Sequence, residues 1–226
     1  MNPPRVICVG EILFDCLANE LGRSLPEVSS WNPFPGGAPA NVACALARLG
    51  VESAWIGCVG DDEAGAALLG VLRSRGVDIT GAQIHPTAPT RQVFVTRSLA
   101  GEREFAGFGD RPTTEFADAF LRADSLPESL FVTADILAAG TLGLAYPETR
   151  AALERSLALA SQHGMQIAID LNWRPVFWPD PDSAPAIVRA VLPYADYLKC
   201  SDEEARWLFG TDDPTAIAAQ LPRARG

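Results

Sequence analysis

Short apolar, β-branched runs alternate with helix-like stretches along almost the whole chain, and that alternation constrains the fold more than any other feature. Residues 5–9 (RVICV) form one such run and end at Gly10. Ser53–Val59, Phe131–Leu137, Met165–Leu171 and Tyr194–Cys200 read as further strands. Between them, residues 39–49 place Val42, Leu46 and Leu49 on one helical face and stop at Gly50. Glu63–Arg75 stops at Gly76, and Pro147–His163 gathers Leu153, Leu157 and Ala160 on one side. Ser183–Leu192, Ser201–Phe209 and a weak stretch over 213–222 complete the helices. Ser201 with Glu204 three residues on has the capping-box pattern. Such a chain predicts an α/β layer fold with a mainly parallel sheet. Two stretches do not fit that sheet. Residues 16–35 are broken by Gly22, Pro26, Pro33 and Pro35, and residues 91–106 read as a hairpin turning at Leu99-Ala100-Gly101. Together they predict a small β flap over one edge, with Phe94 and Phe105 placed to pack across it.

Composition narrows the function classes. The 226 residues carry a net charge of −10, so the surface argues against nucleic-acid or anionic-membrane partners. No run approaches the ~20 apolar residues of a membrane span. The five cysteines are odd in number and form no C-x-x-C pair, which suits small buried hydrophobes in a reducing cytosol. With only His85 and His163 besides, a zinc site is not expected. A cytoplasmic protein is the expectation.

In a parallel sheet, ligands bind beyond the carboxyl ends of strands. Three predicted strand ends deliver charge there: Glu11 and Asp15; Asp170, Asn172 and Arg174; Lys199, Ser201 and Glu204. Gly36-Gly37-Ala38-Pro39-Ala40-Asn41 adds a turn whose glycines let a backbone approach a ligand closely. Asn41 follows with an amide that donates and accepts at once, as a polyhydroxyl ligand requires. Taken alone, the same stretch also reads as a plain turn at a helix start. A dinucleotide-binding fingerprint is absent: after Val9 comes Gly10-Glu11-Ile12-Leu13-Phe14-Asp15, not G-x-G-x-x-G.

The stretch from Gly36 to Gly50, continued by Trp55-Ile56-Gly57-Cys58-Val59-Gly60-Asp61-Asp62, resembles the N-terminal signature of the ribokinase-like (PfkB) carbohydrate kinases. Gly10–Asp15 is similar to their first strand end. Asp170-Leu171-Asn172-Trp173-Arg174-Pro175 resembles the D-x-N-x-R-P segment of the fructokinases among them, and Leu198–Glu204 their nucleotide and phosphate segment. The resemblance implies a three-layer α/β sandwich with a β lid inserted at about 16–35 and 91–106, spanning residues 1–226 as one incomplete domain. It also implies ATP as donor, magnesium and a small sugar as acceptor. The free edge of the flap invites a homodimer through the lid, with the oligomeric state left open. Carried over by position, Asp15, Gly36, Gly37 and Asn41 would hold sugar hydroxyls. Asp170, Asn172, Arg174, Lys199 and Ser201 would face the phosphates, and Glu204 would orient water around magnesium.

The family's Gly-Ala-Gly-Asp, which carries the anion hole and the base, does not occur in the sequence. Gly107-Phe108-Gly109-Asp110 is a poor substitute, because Pro112 interrupts any helix after it. The expectation is therefore a C-terminally truncated kinase with impaired turnover. The alternative is a non-catalytic sugar-binding chain that needs a partner.

Overall fold

The computed structural model describes residues 5–221. The chain enters through β1 (Val6–Val9), then forms β2 (Leu13–Ala18), β3 (Trp31–Gly36) and α1 (Ala38–Arg48). There follow β4 (Ser53–Gly60), α2 (Glu63–Ser74), β5 (Asp78–His85), β6 (Gln92–Arg97) and β7 (Arg103–Gly107). After a long loop come α3 (Glu128–Thr133), β8 (Ile136–Gly140), α4 (Pro147–Gln162) and β9 (Gln166–Asp170). The last elements are α5 (Ala184–Val191), β10 (Tyr197–Lys199), α6 (Asp202–Phe209) and α7 (Pro214–Gln220). Residue 222, the last of the weak predicted helix, lies outside the described residues.

Six strands make one sheet in the order β10-β9-β8-β1-β4-β5, and every pairing in it is parallel. Alternate side chains enter opposite layers, as a strand requires. Val6 and Cys8 meet α1 and α2 through Ala40, Ala43, Leu68 and Leu72. Ile7 and Val9 join the larger core under α4 and α5, with Leu137, Leu153, Ile167 and Val188. A strand buried on both faces needs a continuous apolar run, and β4 supplies one with all its residues buried. The chain leaves β1 toward β4 and β5, then jumps back across to β8. The switch point therefore lies between the carboxyl ends of β1 and β8, at Glu11 and Gly140.

The flap is a second sheet of order β3-β2-β6-β7. Its two predicted hairpins are joined by a parallel pairing of β2 with β6, from Phe14 against Gln92 to Leu17 against Val95. Phe94 packs edge-on against Trp31 at 4.9 Å, and Phe105 against Phe108 at 5.2 Å.

Below the flap sits Arg91, the residue before β6, with a side chain sealed from solvent. Its Nε and Nη2 donate to Asp118 at 2.6 and 2.7 Å, and Nη2 also reaches the Thr113 carbonyl and the Tyr146 hydroxyl. The guanidinium carbon lies 4.5 Å from the Phe116 ring centre, with Phe108, Tyr146 and Phe177 within 5.3 Å.

Four expectations need correction. Phe131–Leu137 is strand only at Ile136 and Leu137: Leu130 and Phe131 are buried from the short helix α3, and the strand runs Ile136–Gly140 (ILAAG), whose alanines and glycine hide it from propensity. Strand β5 was not expected, because Gly81 splits it and Asp78, Gln83 and His85 break the apolar run. On α1, Val42 and Leu49 are exposed and the buried face is Pro39, Ala40, Ala43 and Cys44. The helix lies so close to β1 that a Cβ on Gly10 would meet Pro39 at 2.6 Å, and only small side chains fit between. Strand β10 covers Tyr197–Lys199 alone, because Leu192–Tyr194 forms a short 3-10 turn.

Candidate functional site

The sugar side of the predicted site is built where β1, the flap and α1 meet. In the β2–β3 hairpin, Asp15 faces Phe34 across the ladder and turns its carboxylate over Gly36. A Cβ at Gly36 would lie 2.5 Å from Asp15 Oδ2, so only glycine leaves that carboxylate in place. Asp15 is exposed, yet the surrounding protein pushes its carboxyl above the ordinary value, while Arg103 on β7 pulls it down. Gly37 caps α1 with φ +99°, and a Cβ there would strike the Glu11 carbonyl at 2.5 Å.

Glu11 itself is buried, and its Oε1 accepts the Ala38 backbone N–H at 3.0 Å. Burial pushes its carboxyl up to about 7, against the pull of the backbone N–H groups it accepts. Asn41 stands exposed on the first turn of α1, its N–H bonded to the Gly37 carbonyl. Its side chain borders a surface hollow shared with Arg48 and Arg75, and none of the other expected sugar residues borders that hollow.

The phosphate side is built by β9, β10 and α6. Asp170 and Lys199 are register partners at the ends of adjacent parallel strands, so their side chains share one face. Lys199 Nζ lies 2.9 Å from Asp170 Oδ1. Asn172 follows with φ +40°, alone among described non-glycine residues in having positive φ. Asparagine tolerates that conformation through its short polar side chain. The turn aims the next two residues at α6. There the buried Glu204 accepts from Trp173 N and Ser201 N, each at 2.7 Å, and Ser201 Oγ accepts from Glu204 N at 3.2 Å. The predicted capping box is therefore formed, and the same carboxylate also holds the loop after β9. Arg174 lies 3.9 Å from Glu204, donates to the Trp173 carbonyl at 2.8 Å and remains half exposed. Trp173 stacks on Trp207 at 4.0 Å and fixes the loop from its other side.

An apolar groove of about 410 Å³ lies beside α1 over the ends of β8, β9 and β10, and neither Asp15 nor Gly36 lines it. Ala38, Pro39 and Val42 of α1 form one wall, Gly140 the floor, and Asp170 and Lys199 the far rim. Gly107–Asp110 is a turn under the flap. Phe108 is packed against Phe105, Phe116 and Phe177, and no helix starts there. Among the described residues, no group of three or more His, Cys, Asp or Glu side chains is placed to hold a metal. Both Glu204 oxygens already accept from backbone, so direct ligation does not suit it, whereas a bridging water fits a remaining lone pair.

Sequence reasoning found the residues at the strand ends but missed two side chains that shape the sugar side. Glu11 was noted without a role, and its position at the switch point was the signal available. Arg103, facing Asp15 from across the flap, gave none, because β2 and β7 come together only through β6.

A six-stranded parallel sheet packed between helices, open over β8–β10 on the α1 side, with polar groups at its carboxyl ends and a separate β lid, defines a layered α/β protein. Residues 3–226 match the family model for pfkB family carbohydrate kinases, and the chain belongs to that family. It is 37% identical over 227 residues to a probable fructokinase-2 of Arabidopsis thaliana, covering 99% of this chain and 68% of the relative. The crystal structure of fructokinase from Xylella fastidiosa superimposes with a TM-score of 0.83 at 31% identity, over 96% of this chain and 65% of that one. A second structure of that fructokinase, with bound ATP, gives 0.83 at 30% identity, over 95% of this chain and 67% of that one. The chain thus spans about two thirds of the length of these relatives.

Proposed function

We propose that this chain holds a small sugar, fructose first among candidates, beside ATP for transfer of a phosphoryl group to a sugar hydroxyl. The observation that carries this reading is that two unlike polar clusters stand at the carboxyl ends of one parallel sheet, one where β1 meets the flap and one after β9 and β10. Asp15 over Gly36 offers a carboxylate to two neighbouring hydroxyls, with the amide-lined start of α1 beside it. After β9 and β10, Lys199, Arg174 and the Asn172 turn present cationic and backbone donors suited to phosphate oxygens.

In this reading each group has a task. Asp15 accepts hydroxyl protons and sets the sugar's rotation, and Asn41 swings from the helix surface to donate and accept at a further hydroxyl. Gly36 and Gly37 leave room for the ring. Lys199 exchanges Asp170 for a phosphate oxygen, while Ser201 and Asn172 border the phosphate path. Arg174 turns from Glu204 to meet phosphate oxygens in a forked contact. Magnesium, arriving with the nucleotide, would neutralise phosphate charge, and Glu204 would reach it only through water. The flap closes over the sugar and excludes water. Phe34, on the same face of the flap as its register partner Asp15, and Phe105 are exposed and belong to the surface of the proposed homodimer.

The sequence holds no Gly-Ala-Gly-Asp, so we expect sugar binding to outlast turnover in this 226-residue form. Calorimetric titration with fructose, paired with an ADP-release assay, tests both statements. Binding that falls at least tenfold in Asp15→Asn, with little ADP release, supports the reading. Absence of binding for every hexose offered, or binding indifferent to Asp15→Asn, overturns it.

A further inference from the structure

We propose that Glu11 is a positioning residue for the sugar side: its buried side chain pins the first turn of α1 to the end of β1 and so fixes the Gly36–Gly37 turn beneath Asp15. This inference rests on the sugar-binding reading above.

The contacts converge on one point. Glu11 Oε1 takes the Ala38 N–H, one of the donors a helix start leaves without an intrahelical partner. Gly37 lies flat on the Glu11 backbone, close enough that a Cβ would overlap the carbonyl oxygen. Glu11 Oε2 faces β8, 3.9 Å from where a Cβ on Gly140 would stand, so the carboxyl group is wedged between the helix start and the groove floor. Asp15 is four residues further along the same chain and reaches back over Gly36. One side chain therefore sets the distance between α1 and the hairpin that carries Asp15.

A carboxyl in this place is costly, which argues that it is there for something other than stability. Burial pushes it up to about 7, and the groups that bear on it electrostatically from the surrounding elements are Asp118, which raises it, and Arg91, which lowers it. A leucine would fill the space without that cost but would leave the Ala38 N–H with no acceptor. In the free protein the turn would then relax toward water, and a sugar would have to restore it on binding.

The test compares Glu11→Gln with Glu11→Leu in the full chain, by fructose calorimetry and by hydrogen exchange of the segment 36–42, with α4 as the internal reference. The amide keeps an acceptor, though a neutral one, so E11Q should lose about threefold in affinity and E11L about tenfold or more. Exchange should accelerate in 36–42 in the same order while α4 stays protected. E11L binding fructose like the wild type overturns the proposal, and so does E11Q losing as much as E11L. Faster exchange throughout the chain also overturns it, because that marks a merely structural role. If the wild-type chain binds no fructose, the sugar reading falls and exchange alone decides: an unchanged 36–42 segment in E11L overturns the positioning role, and selective acceleration supports it.

Discussion

Removing the partner of Arg91 is the sharpest test of how the flap is anchored. In Asp118→Ala the guanidinium stays sealed among four rings, with no hydrogen-bonded counter-charge and with the Thr113 carbonyl and Tyr146 hydroxyl as its remaining hydrogen-bond partners. Cation–π attraction of ~0.5–2 kcal/mol cannot replace the lost carboxylate. Breaking one half of a buried pair costs roughly 3–5 kcal/mol. For a chain of this length that loss lowers the thermal midpoint by roughly 10 °C. Replacing both members, Arg91→Met with Asp118→Leu, removes the charges and their desolvation together, and such exchanges are often neutral or better. The double variant should therefore be more stable than Asp118→Ala, and the double-mutant cycle should be strongly non-additive. Circular dichroism during heating and urea titration reads both quantities. A loss below about 1 kcal/mol in Asp118→Ala, or a double variant that simply sums the two singles, would refute the claim that this pair is a desolvated unit.

Other expectations follow from single positions. Gly36→Ala drives a Cβ into Asp15 Oδ2 and should reduce fructose affinity about tenfold in calorimetry with little change in unfolding temperature. Gly37→Ala combines a positive φ with a backbone clash and should instead cost more than ~1 kcal/mol of stability in urea titration. Asn172→Val should cost ~1–2 kcal/mol because a β-branched residue resists its positive φ, whereas Asn172→Gly should be nearly silent. Asp62 caps α2: burial pushes its carboxyl up, but hydrogen bonds from Thr90 and Gly65 bring it below the usual carboxylate range. The stability this confers is present above the unfolded carboxylate pKa and is lost as pH falls through the lower folded one. Asp62→Ala should cost ~1–2 kcal/mol at pH 7 and flatten the acid side of the stability curve below about pH 4.

What the sequence showed depended on how local each signal was. The Ser201–Glu204 capping box lies within one turn, and it formed as read. The α4 stripe of Leu153, Leu157 and Ala160 is buried as its spacing implies. The ILAAG strand was misplaced because it owes its burial to neighbours on both sides rather than to its own propensity. The buried face of α1 was misjudged for the reason already visible at Gly10: close approach selects alanine over leucine, and periodicity rewards leucine. The site followed the same rule. Asp170, Arg174, Lys199 and Glu204 were legible because each follows a strand, and the strands bring them together. Asn41 was legible as a motif member, yet the structure sets it on the helix surface beside Arg48. Glu11 was legible as a strand-end charge but not in its role, because its partner Ala38 is distant in sequence, and no local pattern marks Arg103.

The parallel join in the flap has a consequence for how the molecule comes into being. Phe14 and Gln92 are about 78 positions apart, and everything between them except the β3 hairpin is α1, β4, α2 and β5. The two flap hairpins meet only once that intervening half of the main sheet has brought their ends within reach. Contacts of such separation repay their loop-closure entropy late, so the flap should acquire protection only after β1, β4 and β5 have paired, and should not fold as an excised fragment. On the ribosome, no residue of β2 could find its β6 partner until the chain had emerged beyond position 92, by which time β1, β4 and β5 are already available to pair.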